Sequence, residues 1–207
     1  MHTSILVVDD FYNAPYEVRD VALGFQYPEP KEAPNFPGRN SIERLLVKGL
    51  EEIVSDLVSE KVVAAPQTAH GHCRISLAAD DPNRRFYVHV DHQAYWSGIV
   101  YLSRPEDCQG GTEFFRHREL GTDRCPIFPD EVAEYGVKTF GEAAYKILEK
   151  DSNDASRWDL LMTVPMRFNR LVLLRPWLWH TAGLSFGDTL ENGRLIQLFF
   201  FTLANQR

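Results

Sequence analysis

The stretch "HVDHQAYWSGIVYLS", residues 89–103, sets two histidines and an aspartate within four positions and then turns apolar. Side chains alternate along a strand, so in "RFYVHVD" Phe86, Val88 and Val90 share one face while Tyr87, His89 and Asp91 share the other. His89 and Asp91 can then bind one ion from the same side, and His92 points away. A segment built this way is either a polar strand end in water or part of a metal site whose remaining ligand lies far along the chain.

The chain around it is rich in short β-type runs. Beyond about residue 68 come "CRISLAA", "RRFYVHV", "YWSGIVYLS", "GTEFFRH", "LLMTVPMRF", "RLVLLR" and "RLIQLFFFTL", separated by turn residues such as "DDPN", "CQGG" and "FGDTLENG". Many short strands between turn signals predict an antiparallel sandwich or barrel, jelly roll included. Thr139 and Glu142 fit a capping box before "AAYKILEK", which marks a helical interruption inside an insertion over 119–157.

Ahead of this core, "SILVVDDF" predicts a strand. Asn13 as a cap and Pro15 in a first turn predict a helix near 14–25. Residues 27–39 hold four prolines and predict a loop. Asn40 and Glu43 fit another capping box, and Ile42, Leu45, Leu46, Leu50, Ile53, Val54, Leu57 and Val58 form an apolar stripe that predicts a helix over 41–59. The expected fold is therefore an all-β core with flanking helices (α+β), a double-stranded β-helix or jelly roll. It forms one domain over 1–207, with helical support in 1–65 and the core in 68–205. The helices are expected to cover one outer sheet face, which accounts for strands that are apolar on both faces.

Composition narrows the function classes. Apolar residues make up 44% and charged residues 25%, as in ordinary globular domains. A net charge of -7 argues against a nucleic-acid surface. No apolar run approaches the length of a membrane span, and the apolar run in "MHTSILVVDDF" is too short for a secretory core. Cys73, Cys108 and Cys125 are odd in number and lack C-x-x-C spacing, which suggests free thiols in a reducing cytoplasm. No nucleic-acid or membrane partner is expected, and the oligomeric state is not legible.

An H-x-[DE] pair alone is a weak signal. With seven histidines among 29 acids it arises about once by chance, and His117-x-Glu119 matches as well. His70-x-His72 is a third possible pair. An imidazole, a carboxylate and a second, distant imidazole would form the facial triad of non-haem Fe(II) oxygenases, which leaves coordination positions open.

Four segments add to the first pair. "HVD", "YLSRPEDCQGGTEFF", "RFNRLVLLRPWLWHTAG" and "NGRLIQLFFF", in that order over roughly 85–203, resemble the prolyl-4-hydroxylase-type branch of the 2-oxoglutarate/Fe(II) dioxygenases. "GGTEFF" reorders the family's glycine motif, "YLS" stands for its "YLN", and the 119–157 insertion is long. These departures bear on the substrate more than on the chemistry. The resemblance implies that His89, Asp91 and His180 ligate Fe(II). It also implies that Arg194 holds the distal carboxylate of 2-oxoglutarate through two charge-assisted bonds, with its side chain inward alongside Ile196, Leu198 and Phe200. Tyr101 matches a strand tyrosine that contacts the same carboxylate; its other reading is a core tyrosine with a satisfied hydroxyl.

The implied co-substrates are 2-oxoglutarate and dioxygen, and the implied reaction is hydroxylation, which the presence of Asp91 favours over halogenation. Trp96, Trp177, Trp179 and Tyr95 are read as core aromatics, and Arg116 and His117 as residues near the mouth of the barrel. The expected substrate is a free or carrier-bound amino acid or small metabolite; the alternative is a peptidyl, prolyl-type hydroxylase. Two other classes are a non-redox cupin-like metal protein and a catalytically silent binding barrel. Arg194 discriminates against the former, which needs no buried anchor for 2-oxoglutarate.

Overall fold

The run "RLIQLFFFTL" forms a ten-residue strand, β10 (Arg194–Leu203), and the sheet is built around it. A strand this apolar on both faces needs cover on both sides. In this computed structural model, which describes residues 3–29, 37–82 and 86–204, it has that cover. β10 pairs with β4 (His72–Ser76), with β5 (Trp96–Tyr101) and, near its end, with β3 (Val62–Ala64). The sheet extends from β5 to β8 (Leu171–Leu174) and β1 (Ile5–Val8), and from β4 to β2 (Arg39–Arg44), giving seven strands. A second sheet joins β6 (Gly111–His117) to β7 (Trp158–Pro165) and β9 (His180–Thr181). Among the described residues every strand pairing is antiparallel, and neither sheet closes on itself.

Alternation along the strands sorts the apolar side chains into layers. Leu195, Phe199 and Phe201 of β10 lie with Cys73, Ile75, Trp96 and Val100 beneath Ala22 of α1 (Pro15–Leu23) and Leu50, Val54 and Val58 of α2 (Leu50–Val58). Fully burying a Val or Leu side chain stabilises by about 1.5–3 kcal/mol, so this i, i+4 stripe is enough to dock α2. On the other face, Ile196, Ile99, Tyr101, Val172 and Leu174 meet Phe114, Val164, Leu178 and Phe186, which fill the space between the sheets. Beyond the small sheet, Phe115, Trp158 and Trp179 pack with Val88 and Val90 and with Ala144 and Ile147 of α4 (Phe140–Asp151). The insertion, which also holds α3 (Pro129–Glu134), is thus a third layer behind the small sheet.

Three expectations are corrected. The helix over 41–59 is a strand followed by a shorter helix: β2 pairs with β4, and α2 starts at Leu50 after Gly49 in the left-handed region at φ +78°. Ile42 and Leu46, counted in the stripe, are exposed, and the Glu43 carboxylate accepts from Gln26 N rather than from a capping position. Pairing with β4, an interaction distant in sequence, overrides a local spacing that only part of the segment obeys. Ala14, not Asn13, occupies the cap of α1, although Pro15 does open the helix. Residues 86–91 make one isolated bridge, at His89, instead of a continuous strand, and Arg84 and Arg85 lie outside the described residues. By contrast, the box at Thr139 is formed: Thr139 Oγ1 accepts from Glu142 N at 3.2 Å, and the Glu142 carboxylate accepts from Thr139 N at 3.0 Å.

Candidate metal centre

The predicted alternation survives without a full ladder. Val88 and Val90 are buried toward the insertion, which turns His89 and Asp91 toward the space between the sheets. Point contacts fix this segment. His89 N donates to His180 O at 2.9 Å, and His180 N returns a bond to His89 O at 3.2 Å. Asp91 N donates to Pro176 O at 2.9 Å. From behind, Val88 N donates to Ser152 O at 3.0 Å, and Ser152 Oγ donates to Val88 O at 2.7 Å. Ser152 is buried at the end of α4, so the insertion holds the backbone that carries His89 and Asp91. The start of α4 also reaches this turn, where Gly141 lies against the His92 ring.

One ligand atom each from His89, Asp91 and His180 lies within 4.8 Å of the others. His180 Nε2 is 3.5 Å from Asp91 Oδ2, and His89 Nε2 is 3.9 Å from Asp91 Oδ1. His180 Nδ1 lies 2.8 Å from the Leu178 carbonyl, which orients the ring and turns Nε2 toward the cluster. Ser97 Oγ donates to Asp91 Oδ2 at 2.7 Å and steadies the carboxylate. Burial pushes the His89 imidazole down to about 3, and the neighbouring His180 adds to that effect. For Asp91 burial acts upward, but hydrogen bonding and charge from His180, then His89 and Ser97, hold the carboxyl well below the usual carboxylate range. A neutral imidazole and an ionised carboxylate are the protonation states that a divalent cation requires.

The rival pairs have other roles. His117 is buried with Nε2 3.0 Å from Asp151 Oδ2 and Nδ1 accepting from Leu120 N, which ties β6 to α4. His70 Nδ1 contacts Phe200 O at 2.7 Å, and His72 Nδ1 contacts Ser41 O at 2.8 Å. Among the described residues, His89, Asp91 and His180 are the metal-capable cluster.

Arg194 starts β10 on the same inner face as Ile196. It is 2% exposed. Nη2 donates to Ala182 O at 2.8 Å, while the buried Nε has no hydrogen-bond partner, and among the described residues no carboxylate pairs with this guanidinium. Burial lowers its pKa, and Tyr101 is the neighbour that opposes this. Tyr101 is fully buried, with its hydroxyl 2.7 Å from Thr112 Oγ1 and accepting from Thr112 N at 3.0 Å.

Arg175 and Arg116 have other partners. Arg175 is held by Glu60 at 2.7 Å over the Trp96 ring, and Arg116 donates to Gly121 O on the surface. Trp96 and Trp179 belong to the core layers, as expected. The two glycine motifs meet as well. Gly183 has φ +76°, and a Cβ there would collide with the Gly111 carbonyl, so the turn after His180 packs on the start of β6 only with glycine at this position.

Sequence reasoning missed Ser97, Ser152 and Arg74. Ser97 sits two residues before Ile99 and four before Tyr101, so alternation in "YWSGIVYLS" carried the signal. Arg74 is flanked by Cys73 and Ile75, which face the helices, so its side chain turns to the inner face, where it influences Asp91 and His89 electrostatically. Ser152 gave no signal.

No curated protein matches this chain. Among solved structures, the chain is similar in fold to HygX from Streptomyces hygroscopicus with nickel, 2-oxoglutarate and hygromycin B bound. The TM-score is 0.55 at 14% identity, covering 98% of this chain and 84% of that one. HygX with nickel and 2-oxoglutarate bound gives a TM-score of 0.53 at 14% identity and the same coverage. A family model described as a family of unknown function, DUF6445, matches residues 1–201, and the chain belongs to that family.

Proposed function

We propose that this chain is an Fe(II)/2-oxoglutarate-dependent oxygenase that hydroxylates a small molecule. One observation carries the reading: half-buried His89 and Asp91 cluster with buried His180 near a buried guanidinium, Arg194, whose Nε lacks a protein partner. A buried donor left unsatisfied costs about 1–3 kcal/mol or more, so such an arrangement suits a ligand that completes it. The donor set is right for the metal, since two imidazoles and one carboxylate leave positions open for co-substrate.

In this reading His89 Nε2, Asp91 and His180 Nε2 hold the metal, with the Leu178 carbonyl and Ser97 hydroxyl fixing two of them. Arg194 binds the distal carboxylate of 2-oxoglutarate, and Tyr101 lies alongside. Bound Fe(II), with 2-oxoglutarate and dioxygen, supplies oxidative decarboxylation to succinate and carbon dioxide coupled to hydroxylation of a C–H bond. The apolar lining, Ile99, Leu174 and Ile196 among it, keeps bulk water out.

The two facing antiparallel sheets support a double-stranded β-helix over one domain, 1–207, with 119–157 as its insertion. The sequence motifs support the prolyl-4-hydroxylase-type branch. HygX is bound to 2-oxoglutarate and hygromycin B, which supports a small molecule or free or carrier-bound amino acid over a peptidyl substrate. Among the described residues no helix is long and apolar enough to cross a membrane, and the unpaired thiols Cys73, Cys108 and Cys125 suit a cytoplasmic setting.

The test is succinate release with Fe(II), 2-oxoglutarate and dioxygen across amino acids, small metabolites and peptides, followed by product mass. An added oxygen atom on a small substrate is expected. Absence of Fe(II)-dependent 2-oxoglutarate binding and turnover would overturn the reading.

A further inference from the structure

Two of the three cluster residues rest on one turn between β8 and β9. Pro176 O accepts from Asp91 N at 2.9 Å, and Leu178 O lies 2.8 Å from His180 Nδ1. Leu178 N closes the turn by donating to Arg175 O at 3.2 Å, with Pro176 in the second position, where proline is favoured. Asp91 and His180 come from different parts of the chain, so this turn is a support they share.

Arg175 opens the turn and anchors it. Its main-chain N donates to Ser4 O at 2.8 Å, one step past the Ile5–Leu174 pair. The side chain is buried. Nε donates to Thr3 O at 3.1 Å, and Nη2 donates to Glu60 Oε2 at 2.7 Å. The guanidinium carbon lies 3.9 Å from the centre of the Trp96 ring, 4.5 Å from that of Tyr95 and 5.3 Å from that of Trp177. A cation held over aromatic faces away from water is attracted to them more strongly than an exposed one.

Glu60 completes this clamp. Its Oε2 also accepts from Trp96 Nε1 at 2.8 Å, and its Oε1 accepts from Tyr95 Oη at 3.3 Å. Both arms of the clamp end one residue short of a group that bonds Asp91. Trp96 precedes Ser97, whose hydroxyl donates to the carboxylate, and Arg175 precedes Pro176, whose carbonyl holds the main chain. An aliphatic side chain would fill the space among three aromatic rings without burying a charge. A guanidinium there fixes both distance and orientation, through directional hydrogen bonds and stacking of its plane.

We propose that Arg175 is a positioning residue for the metal end: clamped by Glu60, Tyr95, Trp96 and Trp177, it sets the turn that holds the Asp91 main chain and the His180 ring. This rests on the oxygenase reading, in which those two residues hold the metal.

The test titrates the full chain with Co(II), whose visible spectrum reports coordination geometry, and takes affinity from competition with a chelating dye. Arg175→Met is expected to bind Co(II) about 10–100-fold more weakly than wild type, with an altered spectrum at saturation. Arg175→Lys keeps a cation beside Glu60 and the rings and is expected to recover part of the affinity. Glu60→Gln, at the half-buried side of the clamp, is expected to shift affinity in the same direction by less. Arg170→Met removes a comparable ion pair, to Asp9 at 2.6 Å, and is expected to lower the melting temperature without moving the Co(II) midpoint. In metal-free protein with nitrogen-labelled histidine, the His180 ring signals are assigned by their absence in His180→Gln. They are expected to shift or broaden in Arg175→Met.

Wild-type affinity and spectrum in both Arg175→Met and Glu60→Gln would overturn the proposal, and so would an equal loss of affinity in Arg170→Met. If Arg175→Met does not fold, Glu60→Gln decides alone. Failure of wild type to bind Co(II) would sink the oxygenase reading instead. The His180 ring signals, read without metal, would then still decide whether Arg175 sets that ring.

Discussion

Arg194 opens a ten-residue strand held by ladders to β4 and β5, whereas His89 sits on a segment that makes a single bridge, to His180. The two ends of the proposed site are therefore built differently. At the guanidinium end, main-chain bonds of the seven-stranded sheet set the position, and Ser103 Oγ adds to them by donating to Gly193 O and accepting from Leu195 N. The metal end relies on a few individual contacts: the Val88–Ser152 pair behind it, Asp91 N to Pro176 O, and Ser97 Oγ to Asp91. A ladder tolerates the loss of one member, while point contacts do not. Each end should therefore fail on its own, and the metal end should be open to disturbance from outside the proposed site.

The largest effect is expected from Asp91→Ala. It removes one of the three proposed ligands, so Fe(II) affinity should fall by about 100-fold or more, beyond the 10–100-fold typical of supporting residues, and turnover should cease. Circular dichroism and melting should show the fold intact; a variant that keeps coupled turnover would remove Asp91 from the cluster. His89→Ala and His180→Ala should behave alike.

Next comes Arg194→Met, which keeps the packing of the stem and deletes the charge-assisted bonds proposed to 2-oxoglutarate. At about 1.5–3 kcal/mol per bond, 2-oxoglutarate affinity should fall roughly ten- to a hundredfold or more, with Fe(II) binding unchanged. Loss of both together would mean that the two ends are not separable.

Ser152→Ala sharpens the comparison from a distance. It leaves the buried Val88 carbonyl without its hydroxyl donor, a loss of about 1–3 kcal/mol in stability by denaturant titration. Fe(II) affinity should drop by up to about tenfold, while 2-oxoglutarate affinity of the metal-saturated protein should hold. Loss of stability with unchanged metal affinity would show that the insertion does not govern the metal end. The smallest change is expected from Tyr101→Phe. Its hydroxyl bonds to Thr112, so a modest stability loss of about 0.5–1.5 kcal/mol should accompany a few-fold loss of 2-oxoglutarate affinity.

The same contrast governs what was legible in the sequence. His89 and Asp91 could be read because period-two alternation is local, and it holds even though residues 86–91 lack a ladder. The strand of Arg194 was legible from its apolar run, and its inward side followed from alternation with Ile196. The helix over 41–59 was misread because Ile42, Leu45 and Leu46 continue the spacing of Leu50, Val54 and Val58 by coincidence. Pairing of β2 with β4 across some 30 residues leaves no local trace. Ser152 acts on the Val88 main chain 64 residues away, so neither its identity nor its spacing could reveal it.

A metal end and a guanidinium end, on separate supports, are proposed to bind Fe(II) and 2-oxoglutarate together. Anaerobic titration of the Fe(II) protein with 2-oxoglutarate, followed by the visible charge-transfer band of the chelate, tests it most directly. Wild type should give a saturable band, Asp91→Ala no band, and Arg194→Met the same final band at a midpoint roughly ten- to a hundredfold higher or more. An unchanged midpoint in Arg194→Met would contradict it, because another cation would then hold the co-substrate.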